Sequence, residues 1–334
     1  MSDPRKILVV RLSALGDVLL ATPAVRALAR RFPDARVDWL VESAYLPLVE
    51  ANPHARAVAY EKRGRHAGVR GLLALRRELI AERYDLVVDL QDKPKTRLLH
   101  SLAPECVAWH KRTPAQALLS LVGQEKPLTR AHAVDLYLEA LAPLGIVADD
   151  RTLDLRLAPG HQAQLVGVVA PAGRIAAIAP GARWASKRWP AEKFAQLIEA
   201  LAAKGFAPLL LAGPGDVEVL AAVRSALSFR VPDTTALGVG GLAAAISRSA
   251  VVVANDSGPV HVASALGVPV VAIFGPTSPE RWRPLSQKAE VVRLPLECSP
   301  CSNHGSAACP LDHHRCLKDL SVDAVLAAVA RVTA

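Results

Sequence analysis

Small polar residues follow an apolar run late in the chain, in the segment 255–258 (NDSG). The run before it, residues 250–254, is typical of a buried parallel strand, and a helix pattern begins at about Pro259. A strand that delivers small polar residues to a helix N-terminus presents free backbone N–H groups to an anion, and the helix dipole favours negative charge there. His261 falls in the first helical turn, where its ring can meet a phosphate. The segment therefore predicts an anion site.

A second apolar run follows at once, over residues 268–274, and it ends in the loop 275–278 (GPTS). Parallel strands bring their carboxyl ends to the same edge of a sheet. Two such exits side by side are what a nucleotide-diphosphate pocket in an open α/β sheet needs.

The start of the chain repeats this construction. Residues 6–11 (KILVVR) predict a buried strand, residues 13–17 a tight turn, and residues 18–32 a helix that contains Pro23. This arrangement would hold the carboxylate of Asp17 at the top of a sheet. The turn alone favours a structural role over a catalytic one: acidic residues such as Asp17 commonly cap a helix or interact favourably with the dipole at its N-terminus.

Strand and helix patterns alternate along the whole chain, which predicts parallel sheets covered by helices. Breaker residues are frequent over residues 145–173, and alternation restarts near residue 170, so we expect two α/β halves. A ligand would lie at the carboxyl ends of the strands. Further strands are predicted at 36–41, 86–90, 175–179 and 208–212, and further helices at 131–144 and 191–204.

Composition indicates a globular protein long enough for two domains: 334 residues, of which 51% are hydrophobic and 21% charged. No signal sequence is visible, and no uninterrupted apolar stretch is long enough to span a bilayer. We therefore expect a soluble, cytoplasmic protein.

The net charge of +9 is concentrated in the first half of the chain, above all in residues 61–77. Clustered cations imply an anionic partner, although a solvated basic surface explains many of them equally well. Nucleic acid is the weaker choice of partner, because the basic residues are not interspersed with aromatic residues and no known nucleic-acid-binding motif is present. Further basic clusters are Lys93, Lys95 and Arg97, and Lys111 and Arg112.

Four motifs together resemble the lipopolysaccharide heptosyltransferases of glycosyltransferase family 9. They occupy residues 7–28, 178–198, 209–216 and 252–284, in the order that the family shows. The resemblance implies a GT-B fold, with two Rossmann-like domains whose parallel sheets face each other across a cleft. It implies an acceptor-binding domain at 1–165, a nucleotide-sugar-binding domain at 170–320, and a C-terminal helix at 321–334 that packs back on the N-terminal domain.

The resemblance also implies an activity, the inverting transfer of heptose from ADP-heptose to the Kdo/heptose inner core of lipopolysaccharide. It implies that no catalytic metal is required. Because the acceptor is part of a lipid, we expect the protein to associate peripherally with the inner membrane.

Family roles can be assigned residue by residue. Asp17 matches the general base, and Lys187 matches the lysine at the donor phosphates. An acceptor hydroxyl must lose its proton as it attacks, and a leaving diphosphate gains charge that a lysine and helix N–H groups can stabilise. The acidic position near the ribose is either Asp216 or Glu218. The remaining donor residues are Asp256, Ser257, Gly258, His261 and Thr277, and the acceptor residues are Lys62, Arg63 and Arg65.

Other functions remain open at this point. A nucleotide-sugar epimerase would use the same diphosphate site, a family 9 transferase could use another sugar donor, and a nucleotide-sugar-binding module would need no base. Asp17 on the opposite domain favours a transferase.

Four of the five cysteines lie in one late segment, at Cys298, Cys301, Cys309 and Cys316. Such pairs suit a structural zinc site, but the second pair has the loose spacing Cys-x6-Cys, and three histidines compete as ligands. Free thiols or a disulfide are the alternatives. The competing histidines are His304, His313 and His314.

Overall fold

The computed structural model describes residues 3–109, 131–148, 150–166 and 173–334. These residues form two compact α/β units. The first contains the described residues up to 109 and those of Ala133–Arg156. The second contains Ala131, His132 and the described residues from Leu157 to Ala334. The second unit thus begins before the predicted boundary at 165–170.

The first unit is built on a five-stranded parallel sheet with the order β3-β2-β1-β4-β5. Its central strands are buried on both faces, as parallel strands between helices are. The strands are β1 (Lys6–Val10), β2 (Arg36–Glu42), β3 (Arg56–Tyr60), β4 (Leu86–Asp89) and β5 (Glu105–Ala108). The helices are α1 (Leu15–Leu20), α2 (Thr22–Arg31), α3 (Gly68–Glu82), α4 (Pro94–Arg97) and α5 (Ala133–Glu139), with 3-10 turns at Ser43–Leu48, His100–Leu102 and Ala142–Leu144.

The single helix predicted over residues 18–32 is in fact two helices, α1 and α2, which meet at Ala21. Pro23 occupies the first turn of α2, where its missing N–H costs nothing, whereas inside a longer helix it would remove a hydrogen bond. The proline therefore starts a helix.

The second unit repeats the architecture, with the strand order β10-β9-β8-β6-β7. The strands are β6 (Arg174–Ala179), β7 (Phe206–Leu210), β8 (Val251–Asn255), β9 (Val270–Ile273) and β10 (Ala289–Val292). The longer helices are α7 (Ala191–Ala203), α8 (Val217–Ser225), α9 (Gly238–Ser247), α10 (Gly258–Ala265) and α13 (Val322–Val332). Short helices are α6 (Pro159–Ala163), α11 (Pro279–Trp282) and α12 (Arg315–Lys318), with 3-10 turns at Ala185–Lys187 and Thr235–Leu237.

The helix α6 explains why the second unit begins early. It packs against α9, where the buried ring of His161 lies so close to Gly240 that a Cβ there would come within 2.5 Å of it. Residues before the predicted boundary therefore contribute to the core of the second unit.

The C-terminal helix α13 packs within the second unit. Its apolar face, Val325, Ala328 and Val329, is buried in the core of the second unit against α7, β9 and β10. An amphipathic helix buries one stripe, and the second sheet covers that stripe here. No helix in the described parts of the chain is long and apolar enough to cross a bilayer.

Candidate functional site

Three side chains from three different loops meet at the carboxyl edge of the second sheet. The Lys187 ammonium lies 2.6 Å from Asp256 Oδ2, and the Thr277 hydroxyl donates a hydrogen bond of 2.6 Å to the same oxygen. Lys187 and Asp256 are mostly buried, with side-chain exposures of 14% and 7%. The carboxylate thus fixes a cation and a hydroxyl at the end of β6, β8 and β9.

Asn255, the last residue of β8, connects these loops. Its amide donates a 2.8 Å hydrogen bond to the carbonyl of Pro180 and accepts one of 3.1 Å from the backbone N–H of Trp189. Because Asn255 is fully buried, water cannot replace these hydrogen bonds if they are lost. It holds the two ends of the segment that carries Lys187.

The helix α10 begins directly after Asp256. Ser257 is the N-cap residue, Gly258 opens the helix, and the buried His261 lies one turn along it. The Ser257 hydroxyl oxygen is buried and has no hydrogen-bond partner among the described residues. A free hydroxyl and the unpaired N–H groups of a helix start together suit an anion.

Asp216 lies beside the same edge, after β7. Its carboxylate accepts a 2.9 Å hydrogen bond from the N–H of Gly213 and lies against Gly181, where a Cβ would come within 2.2 Å of Oδ1. Glu218, the alternative for the acidic position, is exposed on α8. The carboxylate at the loop edge is therefore that of Asp216.

The cysteine-rich segment, defined as residues 298–316, packs against the segment that carries Lys187. The Ser186 hydroxyl accepts a 2.8 Å hydrogen bond from the N–H of Ser306, and the His314 ring lies 2.8 Å from the Ser186 carbonyl oxygen. Gly305 has a φ of +90°, and a Cβ there would lie 2.7 Å from Lys187 Cδ. The cysteine-rich segment thus supports the lysine directly.

The four cysteines of this segment line one narrow cavity with His313 and His314. Burial and the nearby thiols of Cys301, Cys309 and Cys298 raise the pKa of Cys316 to about 11, so the Cys316 thiol of the metal-free chain is protonated at neutral pH. In the described residues, no group of three or more cysteine, histidine or acidic side chains is arranged to hold a metal ion. The predicted four-cysteine set shares a cavity but does not form a ligand shell.

In the first unit, Asp17 lies at the start of α1, beyond the carboxyl end of β1. Its Oδ1 lies 2.7 Å from the Arg11 guanidinium and accepts a 3.2 Å hydrogen bond from the Tyr137 hydroxyl. Its Oδ2 accepts a 3.3 Å bond from the N–H of Ala14, so the capping role is also present. The Asp17 side chain is 27% exposed. A residue that only caps a helix needs no contact with an arginine or a tyrosine, so these two contacts go beyond the capping role.

Arg11 is the buried cation that pairs with this carboxylate. Burial alone would lower the pKa of Arg11, but the charge of Asp17 and other nearby groups raises the pKa of Arg11 above its ordinary value. The guanidinium donates to the Leu90 carbonyl and lies 5.1 Å from the centre of the Tyr137 ring. A cation beside a carboxylate favours the ionised form of that carboxylate, and only the ionised form can accept a proton.

Gln91 holds the turn that leads to Asp17. Its side-chain oxygen accepts hydrogen bonds from the N–H groups of Leu12, at 3.1 Å, and Ser13, at 3.3 Å. Sequence patterns did not single out Arg11, Gln91 or Tyr137. One signal could have pointed to Gln91: polar residues follow β4 directly, as they follow the neighbouring strand β1.

The basic residues Lys62, Arg63 and Arg65 follow β3 and are all exposed. Arg65 pairs with Glu61 at 3.0 Å and with Glu78 at 3.4 Å. Lys62 pairs with Glu42 at 3.5 Å. Arg63 has no ion-pair partner among the described residues, which makes it the most available cation of the three.

A further cation follows the carboxyl end of another strand, β4. Lys95 follows β4, and burial together with the positive charge of Lys62 lowers its pKa. Like charges held near one another become more stable when an anion binds between them. Two cations of the predicted basic clusters, Lys111 and Arg112, lie outside the described residues.

The chain is similar to known proteins over most of its length. Residues 72–311 match the model for "Glycosyltransferase family 9 (heptosyltransferase)". The chain is 29% identical to lipopolysaccharide heptosyltransferase 3 of Escherichia coli over 288 residues, which cover 81% of this chain and 84% of that protein.

Solved structures show the same fold. A glycosyl transferase family 9 protein from Veillonella parvula aligns with a TM-score of 0.82 at 26% identity, covering 98% of this chain and 97% of that one. An E. coli heptosyltransferase with ADP-2-deoxy-2-fluoro heptose aligns with a TM-score of 0.70 at 24% identity, covering 98% and 99%. The predicted α/β class, with two Rossmann-like domains of the GT-B type, is confirmed.

Proposed function

The chain belongs to glycosyltransferase family 9, and from this membership we propose that it transfers heptose from ADP-heptose to the inner core of lipopolysaccharide. The name of the E. coli relative supports this acceptor. The ligand in the E. coli structure of the same fold is an ADP-heptose analogue, which supports this donor. Family membership does not favour an epimerase or a binding module, the alternatives that the sequence left open.

The contact of Lys187 with Asp256 and Thr277 is the observation that carries the donor assignment. A lysine fixed beside the start of α10 places positive charge and N–H groups where a diphosphate would leave. Stabilising the charge that develops on a leaving group is commonly the largest contribution to catalysis. In this account Lys187 contacts the phosphates, Asp256 and Thr277 position it, and Ser257, Gly258 and His261 line the diphosphate. Asp216 faces the ribose.

Asp17 acts as the general base in this proposal. The acceptor hydroxyl oxygen attacks the anomeric carbon of the heptose, the bond from that carbon to the ADP oxygen breaks, and Asp17 takes the hydroxyl proton. Attack opposite the leaving group inverts the configuration at that carbon. No step requires a metal ion, because Lys187 and the N–H groups of α10 neutralise the ADP that leaves.

The direct test is a panel of ADP- and UDP-sugars, each incubated with purified core acceptors while nucleoside diphosphate release is measured. We expect release with ADP-heptose and a Kdo-containing core acceptor together, and little with either alone. Equal release with a UDP-hexose would assign the family 9 alternative with another donor. Conversion of the free nucleotide-sugar without an acceptor would indicate an epimerase.

Gly305→Ala is expected to weaken ADP binding by roughly tenfold or more, because the added Cβ would displace Lys187 and small displacements in a catalytic site are costly. Calorimetric titration with ADP measures the effect. Gly205→Ala is the matched control, since Gly205 also has a positive φ, +80°, but a Cβ there has no neighbour within 4 Å. Equal ADP affinity of both variants would show that the cysteine-rich segment does not position the lysine.

Replacing Arg63 and Arg65 together with alanine is expected to raise the acceptor KM about threefold to tenfold at low salt, with ADP affinity unchanged. Arg63→Ala should account for most of the change, because Arg65 already has two acidic partners. The difference from wild type should shrink at high salt, where screening weakens exposed charge pairs. An acceptor KM equal to wild type at low salt would assign both arginines to the solvated surface.

We also propose that the four cysteines hold a structural zinc ion. Their thiols line one cavity, although they must move closer together to act as ligands. Zinc would displace thiol protons, so its affinity should rise with pH.

Metal analysis of the purified protein is expected to give about one zinc per chain, and zinc should raise Tm by roughly 5–10 °C. Cys301→Ser should lose both properties, whereas Cys106→Ser, outside the segment, should keep them. Turnover measured without added Mg²⁺ should not change when a chelator is added, as long as the structural zinc remains bound. Zinc-free protein with an unchanged Tm on zinc addition would leave the free thiols as the correct interpretation.

A further inference from the structure

The helix α3 exposes a line of apolar side chains on the surface of the first unit. Val69, Leu73 and Ile80 are 77%, 51% and 46% exposed, while the opposite side of the helix, with Leu75 and Leu79, is buried. At helical spacing the three exposed residues fall within roughly 40° of one another around the axis, and they extend over about 17 Å. The described residues of the unit do not cover this line of side chains.

Arginines border the line on both sides. Helical spacing puts Arg76 on one side, and Arg70 and Arg77, both exposed, on the other. Arg70 and Arg77 have no ion-pair partner in the part of the chain that the structure describes.

The acidic residues of α3 lie on another side of the helix and already have partners. Glu78 lies 3.4 Å from the guanidinium of Arg65, and Glu82 pairs with Arg36 and Arg56. Pairing with Arg36 and Arg56 lowers the pKa of Glu82 to about 2, against a smaller effect of burial. The apolar line therefore has positive charge beside it and no unpaired carboxylate.

We propose that α3 lies in the surface of an anionic lipid bilayer, with Val69, Leu73 and Ile80 at the boundary of headgroups and acyl chains and Arg70 and Arg77 against lipid phosphates. Interfacial helices combine these features, and each arginine near an anionic bilayer adds to binding. This inference rests on the proposed function in one respect: a transferase whose acceptor is anchored in a membrane benefits from docking there.

Charge and polarity disfavour two other occupants. A second copy of the chain docked on the same face would bring arginines against arginines. Nucleic acid would pair with the arginines but leave the three apolar side chains without an apolar partner.

Cosedimentation with vesicles tests the proposal. The full chain is mixed with vesicles of phosphatidylcholine alone or with phosphatidylglycerol added. We expect binding to the mixed vesicles that weakens as salt rises. Arg70→Gln/Arg77→Gln should reduce the partition coefficient about 20- to 30-fold, and Val69→Gln/Leu73→Gln/Ile80→Gln about tenfold or more. All five positions are exposed, so the substitutions should not disturb folding.

Matched controls change the same side-chain types on the second unit. Arg230→Gln/Arg248→Gln removes two exposed arginines, and Val217→Gln/Phe229→Gln removes two exposed apolar side chains. Both should bind like wild type. The proposal is overturned if both α3 variants partition like wild type, or if phosphatidylglycerol does not increase binding. It is also overturned if the apolar variant loses only self-association in analytical ultracentrifugation.

Transfer to a lipid-free, soluble core acceptor separates this proposal from the proposed function. Both α3 variants should keep the wild-type rate on that acceptor, because no changed residue lies in the candidate site. Wild-type protein that binds vesicles but transfers no heptose would contradict the proposed function and leave membrane docking intact.

Discussion

Asp17→Asn is expected to lower the turnover of heptose transfer by about 10²–10⁴-fold, with ADP affinity and fold close to wild type. An amide cannot take the acceptor proton. It can still accept hydrogen bonds from Arg11 and Tyr137, so the buried arginine keeps a polar partner. Turnover at saturating donor and acceptor measures the loss. Titration with ADP checks the proposed donor site, whose residues all lie in the second unit.

Tyr137→Phe is the matched control for this prediction. It removes the 3.2 Å hydrogen bond to Asp17 but leaves the carboxylate and its ion pair with Arg11. We expect a loss of less than about tenfold, because one neutral hydrogen bond contributes about 1 kcal/mol. An Asp17→Asn enzyme with nearly normal turnover would remove Asp17 from the mechanism and leave it as a helix cap.

Lys187→Ala is expected to weaken ADP binding by about 10- to 100-fold and to lower turnover further, by about 10- to 10³-fold. The substitution removes the cation and leaves the carboxylate of Asp256, 7% exposed, without its charge partner. That carboxylate would then repel the diphosphate. Calorimetry with ADP and steady-state kinetics with both substrates separate the two effects.

A second substitution tests whether Asp256 acts through Lys187. Adding Asp256→Asn to Lys187→Ala should recover part of the ADP affinity, because it removes the unpaired charge while an amide still accepts from Thr277. Lys187→Arg keeps the charge and should lose less than the alanine variant. A change in acceptor KM alone would place Lys187 at the other substrate.

The sequence predicts the frame of the fold well, because apolar runs and their polar exits are local signals. The runs at 250–254 and 268–274 correspond to β8 and β9. Pro23 misled the prediction, since periodicity continues through the break between α1 and α2 while the proline begins a new helix. For α13, the amphipathic pattern predicts that one face is buried but does not show which surface buries it.

Within the candidate site, residue types were predictable and partners were not. The sequence marks Asp17 by its turn, but the tyrosine that contacts it lies 120 residues away. Likewise, Lys187, Asp256 and Thr277 follow three separate strands, and only the order of the sheet makes them neighbours. The exposed line on α3 escaped the prediction because a pattern of leucines and arginines does not show which apolar residues remain uncovered.

The most direct measurement of the central claim is mass spectrometry of a Kdo-containing core acceptor after incubation with ADP-heptose and the enzyme, without added metal. We predict that wild-type protein adds one heptosyl residue and releases an equal amount of ADP. We also predict that Asp17→Asn, with normal ADP affinity, leaves the acceptor almost unchanged. An acceptor that gains no heptose from the wild-type enzyme, or gains it equally from Asp17→Asn, would contradict this account.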